Sequence, residues 1–146
     1  LLIGVHFFPC YTLLQTAVAI LGVLLFVGVF SIGFLFLSSA ISMSMDTPEG
    51  LQAVITLLTL PLFFASNALY PVDAFPPLVK MLSQFNPLTH LVNGVRYFAV
   101  GQDFYAIGIH YVYSSSDIML SFLALTGFAL AMFLIAWRVF QKAVVT

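Results

Sequence analysis

The chain opens with a long stretch that carries no charged side chain. Asp, Glu, Lys and Arg are all absent from Leu1 to Met45. About 20 consecutive apolar residues suffice for a helix to cross a bilayer, so this stretch belongs in lipid or against other helices. Charged residues make up only 6% of the whole chain and hydrophobic residues 62%, which leaves too little polar surface to coat a soluble globule. We therefore expect an integral membrane protein in a lipid bilayer.

Three apolar segments predict complete spans in an all-α, polytopic bundle of transmembrane helices. They cover residues 13–42, 51–69 and 118–140. The third segment contains Gly127 and Ala131, whose four-residue spacing predicts a close contact with another helix. With three predicted spans, the chain is expected to be multi-pass. Its net charge of −1 gives no basis for a nucleic-acid partner.

A short polar loop separates the first two spans. Thr47 suits a helix N-cap, Pro48 the first helical position and Glu49 the positive end of the helix dipole. Asp46 and Glu49 have no third ligand beside them, so helix capping is favoured over metal binding. The three histidines share no ligand spacing, and Cys10 is the only cysteine, so we predict neither a metal site nor an internal disulfide.

Residues 71–101 are apolar but interrupted by prolines, which predicts two short helices rather than a span. Apolar positions recur at helical spacing over 78–85 and again over 88–98, with a break at Asn86-Pro87 and an end at Gly101. Neither helix is long enough to cross a bilayer. A break at membrane depth must be buried in protein or line water, so we expect a re-entrant helical hairpin between the last two spans. Residues 102–117 are predicted to form a polar connector.

Charge alone leaves the orientation in the membrane open. Arg138 and Lys142 favour a cytoplasmic C-terminus, but Lys80 and Arg96 then lie on the opposite side.

The proline-containing segments resemble a known family. The stretch from Phe63 to Pro71, the triplet Phe75-Pro76-Pro77, the run from Asn86 to Arg96 and finally Gly101 are similar to the C-terminal signature of type-2 ATP-binding-cassette (ABC) permeases. The resemblance implies that residues 1–146 are the C-terminal part of one six-helix permease domain, with an N-terminal portion missing. It also implies a hairpin on the outer face, a cytoplasmic C-terminus and, most often, the cytoplasmic cell membrane of a prokaryote.

The same resemblance implies an exporter and its partners. A fused or separate ABC ATPase would bind ATP and Mg²⁺, and two permease units would pair as a homo- or heterodimer. The substrate would be lipophilic or amphipathic, of the drug, lipid-linked or saccharide class. This chain has no Gly-Lys followed by Ser or Thr, so we expect it to hydrolyse no nucleotide and to hold no cofactor.

Two departures from the family pattern affect the site. Many members carry an acid three positions before the arginine, whereas this chain has Asn93, so an ion pair with Arg96 is not expected within the hairpin. Ala65-Ser66-Asn67 replaces a frequent Ser-Gly. Arg96 could anchor the hairpin by hydrogen bonding to backbone carbonyls or lipid phosphate, and this role is as open as a role in the transport pathway. The candidate hairpin and pathway residues are Pro71, Pro76, Phe85, Asn86, Pro87, His90, Asn93, Arg96 and Tyr97.

Other functional classes remain open from the residues alone. Interrupted helices also build ion sites in secondary transporters and channels, although the three predicted spans lack an acid or histidine for ion coupling. A membrane-embedded hydrolase would use His90, Asp103, His110 or Asp117 of the outer loops. A noncatalytic assembly subunit would share the packing motifs without transport.

Overall fold

The computed structural model describes residues 13–68, 75–106 and 109–145. The expected break at Pro9 and the predicted pathway residue Pro71 lie outside these residues. The elements in chain order are α1 (Leu13–Ser42), α2 (Pro48–Phe64), α3 (Pro77–Phe85), α4 (Pro87–Ala99), β1 (Asp103–Ala106), β2 (Ile109–Val112) and α5 (Ser115–Val145).

Helices α1 and α5 are the two long apolar helices of the described chain. They contain 30 and 31 residues, so each is about 45 Å long and exceeds the ~30 Å bilayer core. Helix α1 has the predicted bounds, and α5 extends beyond the predicted 118–140 at both ends. The start of α5 follows from capping, because the Asp117 carboxylate accepts a hydrogen bond from the Ser114 backbone N–H at 3.0 Å.

Helix α2 is shorter than the predicted second span of 51–69. It begins as expected, with Thr47 Oγ1 accepting from the Gly50 backbone N–H at 3.2 Å, but it ends at Phe64 after 17 residues, or about 26 Å. The hydroxyl of Ser66 donates to the Phe63 carbonyl at 2.7 Å. A side chain thereby satisfies a carbonyl at the helix end, so the polar Ser66 terminates the helix instead of continuing it.

The bundle is built from α1, α4 and α5, and ring contacts define their directions. Along α1 and α5 the partners advance together, from Phe26 with Phe122 to Phe36 with Phe133, so these two helices run parallel. Helix α4 packs against both. Its residues pair with α1 in reverse order, so α4 runs antiparallel to α1.

Two glycine–phenylalanine pairs interlock α1 and α4. The ring of Phe98 covers Gly22, and the ring of Phe26 covers Gly94; a Cβ at either glycine would overlap the facing ring. On each helix the glycine and the phenylalanine are four residues apart and therefore lie on the same face. Each helix thus offers one hole, at its glycine, and one knob, at its phenylalanine. Phe26 is 2% exposed and joins Ile118 and Leu125 in the core. Small residues therefore allow the close helix contact, as is common in membranes.

The sequence predicted a close contact at Gly127, but a Cβ added to this glycine would have no atom of the described chain within 4 Å. The described residues therefore do not supply that contact, because the packing face of α5 lies on the side of Phe122, Leu125 and Phe128, and a contact of Gly127 with a helix outside them stays a prediction. Gly33 of α1 meets Phe128 instead.

The predicted helix pair of the hairpin is present as α3 and α4. Asn86 separates them and caps α4, since its Oδ1 accepts from the Leu88 N–H at 2.9 Å. Gly101, with φ of 118°, follows the end of α4, and its N–H donates to the Arg96 carbonyl at 3.3 Å. The apolar side of α3, namely Leu78, Met81, Leu82 and Phe85, is exposed, while its Ser83 is buried.

The connector at 102–117 contains a two-stranded antiparallel sheet, which corrects the expectation of a purely helical chain. Strands β1 and β2 pair with Tyr105 opposite His110 and Phe104 opposite Tyr111. Aromatic and β-branched residues flank Gly108 on both sides in the sequence, a pattern that favours a hairpin of strands. The rest of the described fold is helical, as expected for an all-α membrane protein.

Candidate functional site

A polar cluster joins the end of α2, helix α4 and the segment before α5. We call Asn67, Asn93, Arg96 and Tyr113 the Arg96 cluster. Asn67 Nδ2 donates to Asn93 Oδ1 at 2.5 Å, and the Tyr113 hydroxyl donates to the same oxygen at 3.2 Å. Arg96 Nη2 donates to the backbone carbonyl of Asn67 at 2.8 Å, and its guanidinium carbon lies 5.4 Å from the centre of the Tyr111 ring. The cluster thus ties three separate parts of the chain together.

Some polar atoms of this cluster lack hydrogen-bond partners among the described residues. Arg96 Nη1 and Asn67 Oδ1 are buried and have no hydrogen-bond partner within the described part of the chain. None of the hydrogen bonds described for Arg96 involves an acidic residue. Burial raises the pKa of the Tyr113 phenol, and the neighbouring Arg96 opposes that shift. Tyr113 therefore stays protonated at neutral pH and acts as a hydrogen-bond donor.

A second set of hydrogen bonds holds the junction between α3 and α4. Asn86 Nδ2 donates to the Leu62 carbonyl of α2 at 2.7 Å, in addition to capping α4. The hydroxyls of Ser83 and Thr89 lie 3.1 Å apart across the junction, and both residues are buried. Asn86 thus supplies a partner to one backbone group of α4 and one of α2, while the buried hydroxyls of Ser83 and Thr89 satisfy each other.

His90 connects the same junction to α5. Its Nδ1 lies 3.3 Å from the Ser121 hydroxyl and its Nε2 lies 2.8 Å from the Gln84 carbonyl. Both ring nitrogens are therefore occupied by neutral groups. The other residues considered for a hydrolase lie elsewhere, since His110 pairs with Asp103 at 2.5 Å across the exposed strands and Asp117 caps α5. The described geometry does not assemble these residues into one catalytic site.

The remaining candidates named from the sequence are spread over the hairpin. Pro76 immediately precedes α3 and is exposed, and Phe85 is 77% exposed at the end of α3. Pro87 is the first residue of α4. The Tyr97 hydroxyl accepts from Gln102 Nε2 at 2.9 Å, and its ring packs edge-on against Phe98 at 5.1 Å.

The sequence-based reasoning missed three members of these networks. Asn67, Tyr113 and Ser121 were not among the candidate residues named from the sequence. The signal that could have found them was their position: polar side chains inside or next to apolar helices need internal partners.

An apolar cleft lies between α1, the end of α2 and the start of α4. Its volume is about 200 Å³ and its lining has no polar surface. The lining residues are Phe30, Phe34, Thr59, Leu62, Phe63, Pro87 and Leu88. The cleft therefore places the α3–α4 break beside the second half of α1.

Comparison with known proteins identifies the family. Residues 1–100 match the family model of the ABC-2 type transporter. The protein named transport permease ycf38 is 34% identical over 67 residues in Porphyra purpurea and in Pyropia yezoensis, and 38% identical over 66 residues in Cyanophora paradoxa.

These matches cover 46%, 46% and 45% of this chain and 23% of each relative, so the compared region is less than a quarter of the relatives' length. No solved structure matches the chain significantly. The family match spans more than half of the chain and agrees with its two long apolar helices. The chain therefore belongs to the ABC-2 type transporter family and is a membrane permease component.

Proposed function

We propose that this chain is the C-terminal part of the permease of an ATP-driven exporter, with three spans and a re-entrant hairpin. The observation that carries the proposal is the position of α4. This helix is interlocked with α1 through Phe26 and Gly94, and its first residues, Pro87 and Leu88, share a cleft with Phe30 and Phe34 of α1. The α3–α4 break thus lies well inside the length of a helix that is long enough to span the bilayer.

The parallel directions of α1 and α5 support the topology. Two parallel spans start on the same side of the membrane, so the chain between them must return to that side. Helix α2 begins the return, and a hairpin that enters and leaves by one face adds no further crossing. Under this proposal the loop at Met45 and the C-terminal residues Arg138 and Lys142 share the cytoplasmic side, while Lys80 and Arg96 lie toward the outer side, so the orientation rests on the family and not on the charges.

Energy for transport would come from a partner. The chain lacks a P-loop sequence, so ATP and Mg²⁺ would be bound by a separate or fused ABC ATPase on the cytoplasmic side. A second permease unit would complete the pathway. The apolar helix faces suit a lipophilic or amphipathic cargo, with the hairpin closing the outer exit, where Phe85, His90 and Tyr97 would contribute aromatic and polar groups.

Copurification tests the energy source. The full-length protein, extracted with its native partners in mild detergent, should carry a P-loop ATPase in stoichiometric amount or on the same polypeptide. Candidate cargoes of the lipophilic class should then stimulate its ATP hydrolysis. Absence of any ATPase under conditions that preserve other membrane complexes would contradict the proposal, and ion-coupled flux would then be measured.

Cysteine labelling tests the topology. In a Cys10→Ser background of the intact transporter, Tyr105→Cys and Met45→Cys each place one thiol at an exposed position. A membrane-impermeant maleimide added outside intact cells should label position 105 and should reach position 45 only after permeabilisation. Labelling of both positions from the same side would show that the hairpin crosses the membrane, and would refute the re-entrant arrangement.

A further inference from the structure

The Arg96 cluster and the apolar cleft lie along one seam between α2 and α4. On α2 the cleft is lined by Leu62 and Phe63, and Asn67 follows about one turn later. On α4 the cleft is lined by Leu88, and Arg96 lies eight positions further, or about 12 Å along the helix. A polar site and an apolar site are therefore separated by roughly the distance between the headgroup level and the middle of one bilayer leaflet.

The polar end of the seam requires a specific ligand chemistry. Among the described residues, Arg96 Nη1 is a buried donor and Asn67 Oδ1 is a buried acceptor, and neither has a hydrogen-bond partner there. Asn67 is 4% exposed, and Arg96 Nη2 donates a hydrogen bond to the backbone carbonyl of Asn67, so the two residues are adjacent in space. An anionic oxygen would satisfy the guanidinium, whereas a hydroxyl or ammonium donor would satisfy the amide oxygen. One molecule with both groups would complete the cluster.

The apolar end limits the rest of the ligand. A volume of about 200 Å³ is below the roughly 300–1,000 Å³ of pockets that enclose a drug-sized molecule. The walls are formed by phenylalanine, leucine and proline side chains, and the cleft has no polar surface. Such a space takes part of an alkyl chain rather than a folded or polar molecule.

We infer that the α2–α4 seam binds one bilayer phospholipid whose headgroup combines a phosphate with a hydroxyl or ammonium donor. The phosphate oxygen contacts Arg96 Nη1, the headgroup donor contacts Asn67 Oδ1 and one acyl chain enters the cleft beside Leu88. The Arg96 side chain as a whole is only partly buried, and the proposed contact requires its guanidinium to rotate until Nη1 faces the lipid. Phosphatidylglycerol and phosphatidylethanolamine have both groups, whereas phosphatidylcholine has the phosphate but no donor.

Lipid retention by the intact transporter tests this site without measuring transport. The full-length complex is reconstituted in equimolar phosphatidylglycerol and phosphatidylcholine, extracted, and its retained lipids are quantified by native mass spectrometry. The distinguishing contact is the neutral hydrogen bond from the glycerol hydroxyl to Asn67 Oδ1, which contributes about 0.5–1.5 kcal/mol, so we expect phosphatidylglycerol to be enriched about 2- to 12-fold. Phosphatidylethanolamine should show the same preference over phosphatidylcholine. Equal retention of all three lipids would overturn the inference.

Variants distinguish the two ends of the site. Asn67→Ala should abolish the preference for phosphatidylglycerol over phosphatidylcholine, because it removes the acceptor for the headgroup donor. Arg96→Gln should lower the retention of all three lipids, because each has the phosphate, and Leu88→Trp, which fills the cleft, should also lower total retention. Arg138→Gln is the matched control, because Arg138 is an exposed cation at the opposite end of α5. Retention that is unchanged in Leu88→Trp, or lost equally in Arg138→Gln, would contradict the inference. The Leu88 variant keeps the test decisive if Arg96→Gln fails to fold.

Free glycerol phosphate separates a lipid site from a simple phosphate site. It has the phosphate and the hydroxyls but no acyl chain, so we expect it to displace the lipid poorly. Displacement as effective as that by a short-chain phosphatidylglycerol would show that the cleft plays no part, and would refute the lipid assignment. None of these outcomes depends on whether the transporter exports, so they leave the proposed function to its own tests.

Discussion

Adding one methyl group at Gly94 should break the interlock between α1 and α4. The three nearest atoms of the Phe26 ring all lie within 3.0 Å of the position of the new Cβ, a separation that real Cβ atoms essentially never show. Phe26 is 2% exposed and packs against Phe98 and Phe122, so its ring has no free space to move into. Gly94→Ala therefore forces either a ring or a helix to shift.

Two opposing effects determine the magnitude. Overpacking a filled core costs about 1–3 kcal/mol, while replacing a helical glycine with alanine gains about 1 kcal/mol in helix propensity. At Gly94 the overlap involves a buried ring rather than the end of a flexible chain, so the steric cost dominates. We expect a net loss of up to about 2 kcal/mol. Gly22→Ala should behave in the same way, because its Cβ would overlap the Phe98 ring.

The matched control is Gly28→Ala, on the same helix as Gly22 but with nothing within 4 Å of a new Cβ. Thermal unfolding of the full-length protein in detergent should show a lower midpoint for Gly94→Ala and an unchanged or higher midpoint for Gly28→Ala. Shortening the facing side chain in Gly94→Ala/Phe26→Leu should recover part of the loss, with a coupling of about 0.5–3 kcal/mol. Equal midpoints for Gly94→Ala and Gly28→Ala would refute the interlock.

Three further substitutions test single contacts by the same unfolding measurement. Asn86→Ala removes both the cap of α4 and the donor to the Leu62 carbonyl, so we expect a loss of about 2 kcal/mol; an effect no larger than that of an exposed cap would argue against the buried bond. Thr47→Ala removes only an exposed cap and should cost about 1 kcal/mol or less, which makes it the comparison for Asn86. Tyr113→Phe removes the donor to Asn93 and should cost about 1 kcal/mol at neutral pH. Folding raises the pKa of Tyr113, so its contribution to the free energy of unfolding is present below the ordinary phenol pKa of about 10 and is lost as pH rises through the raised pKa. Tyr113→Phe should reduce this loss of stability at alkaline pH. Identical pH profiles of stability for the two proteins would contradict the assignment.

The helices could be predicted where the sequence is uniform. Helix α1 has the predicted bounds because apolar residues dominate it and it contains no charged residue or proline. The end of α2 could not be located from apolar character alone, since Ser66 and Asn67 form hydrogen bonds only once α4 is in place. The two strands before α5 were not predicted, because tyrosines are also typical of a membrane interface and residues 102–117 were interpreted as a polar connector. The hairpin pattern around Gly108 was therefore not used.

The site was predictable only in part for a related reason. Arg96 and Asn93 were named from the hairpin sequence, and hydrogen bonding to a carbonyl was among the roles considered for Arg96. The particular carbonyl belongs to Asn67, which is 29 positions earlier in the chain. No local spacing connects these residues. Their proximity follows from the packing of α4 beside the end of α2, with both segments running in the same direction, which is a property of the tertiary fold.

The two helices of the hairpin differ in how they are held, and this difference indicates where other molecules contact the chain. Helix α4 is anchored in the core by Gly94 and Phe98. Two hydrogen bonds connect the last residues of α3 to α4, one between Ser83 and Thr89 and one between the Gln84 carbonyl and His90. The exposed apolar side of α3 must then meet lipid or another subunit, because water would not stabilise it. A second permease unit or the bilayer can therefore act on α3 without disrupting the packing of α4.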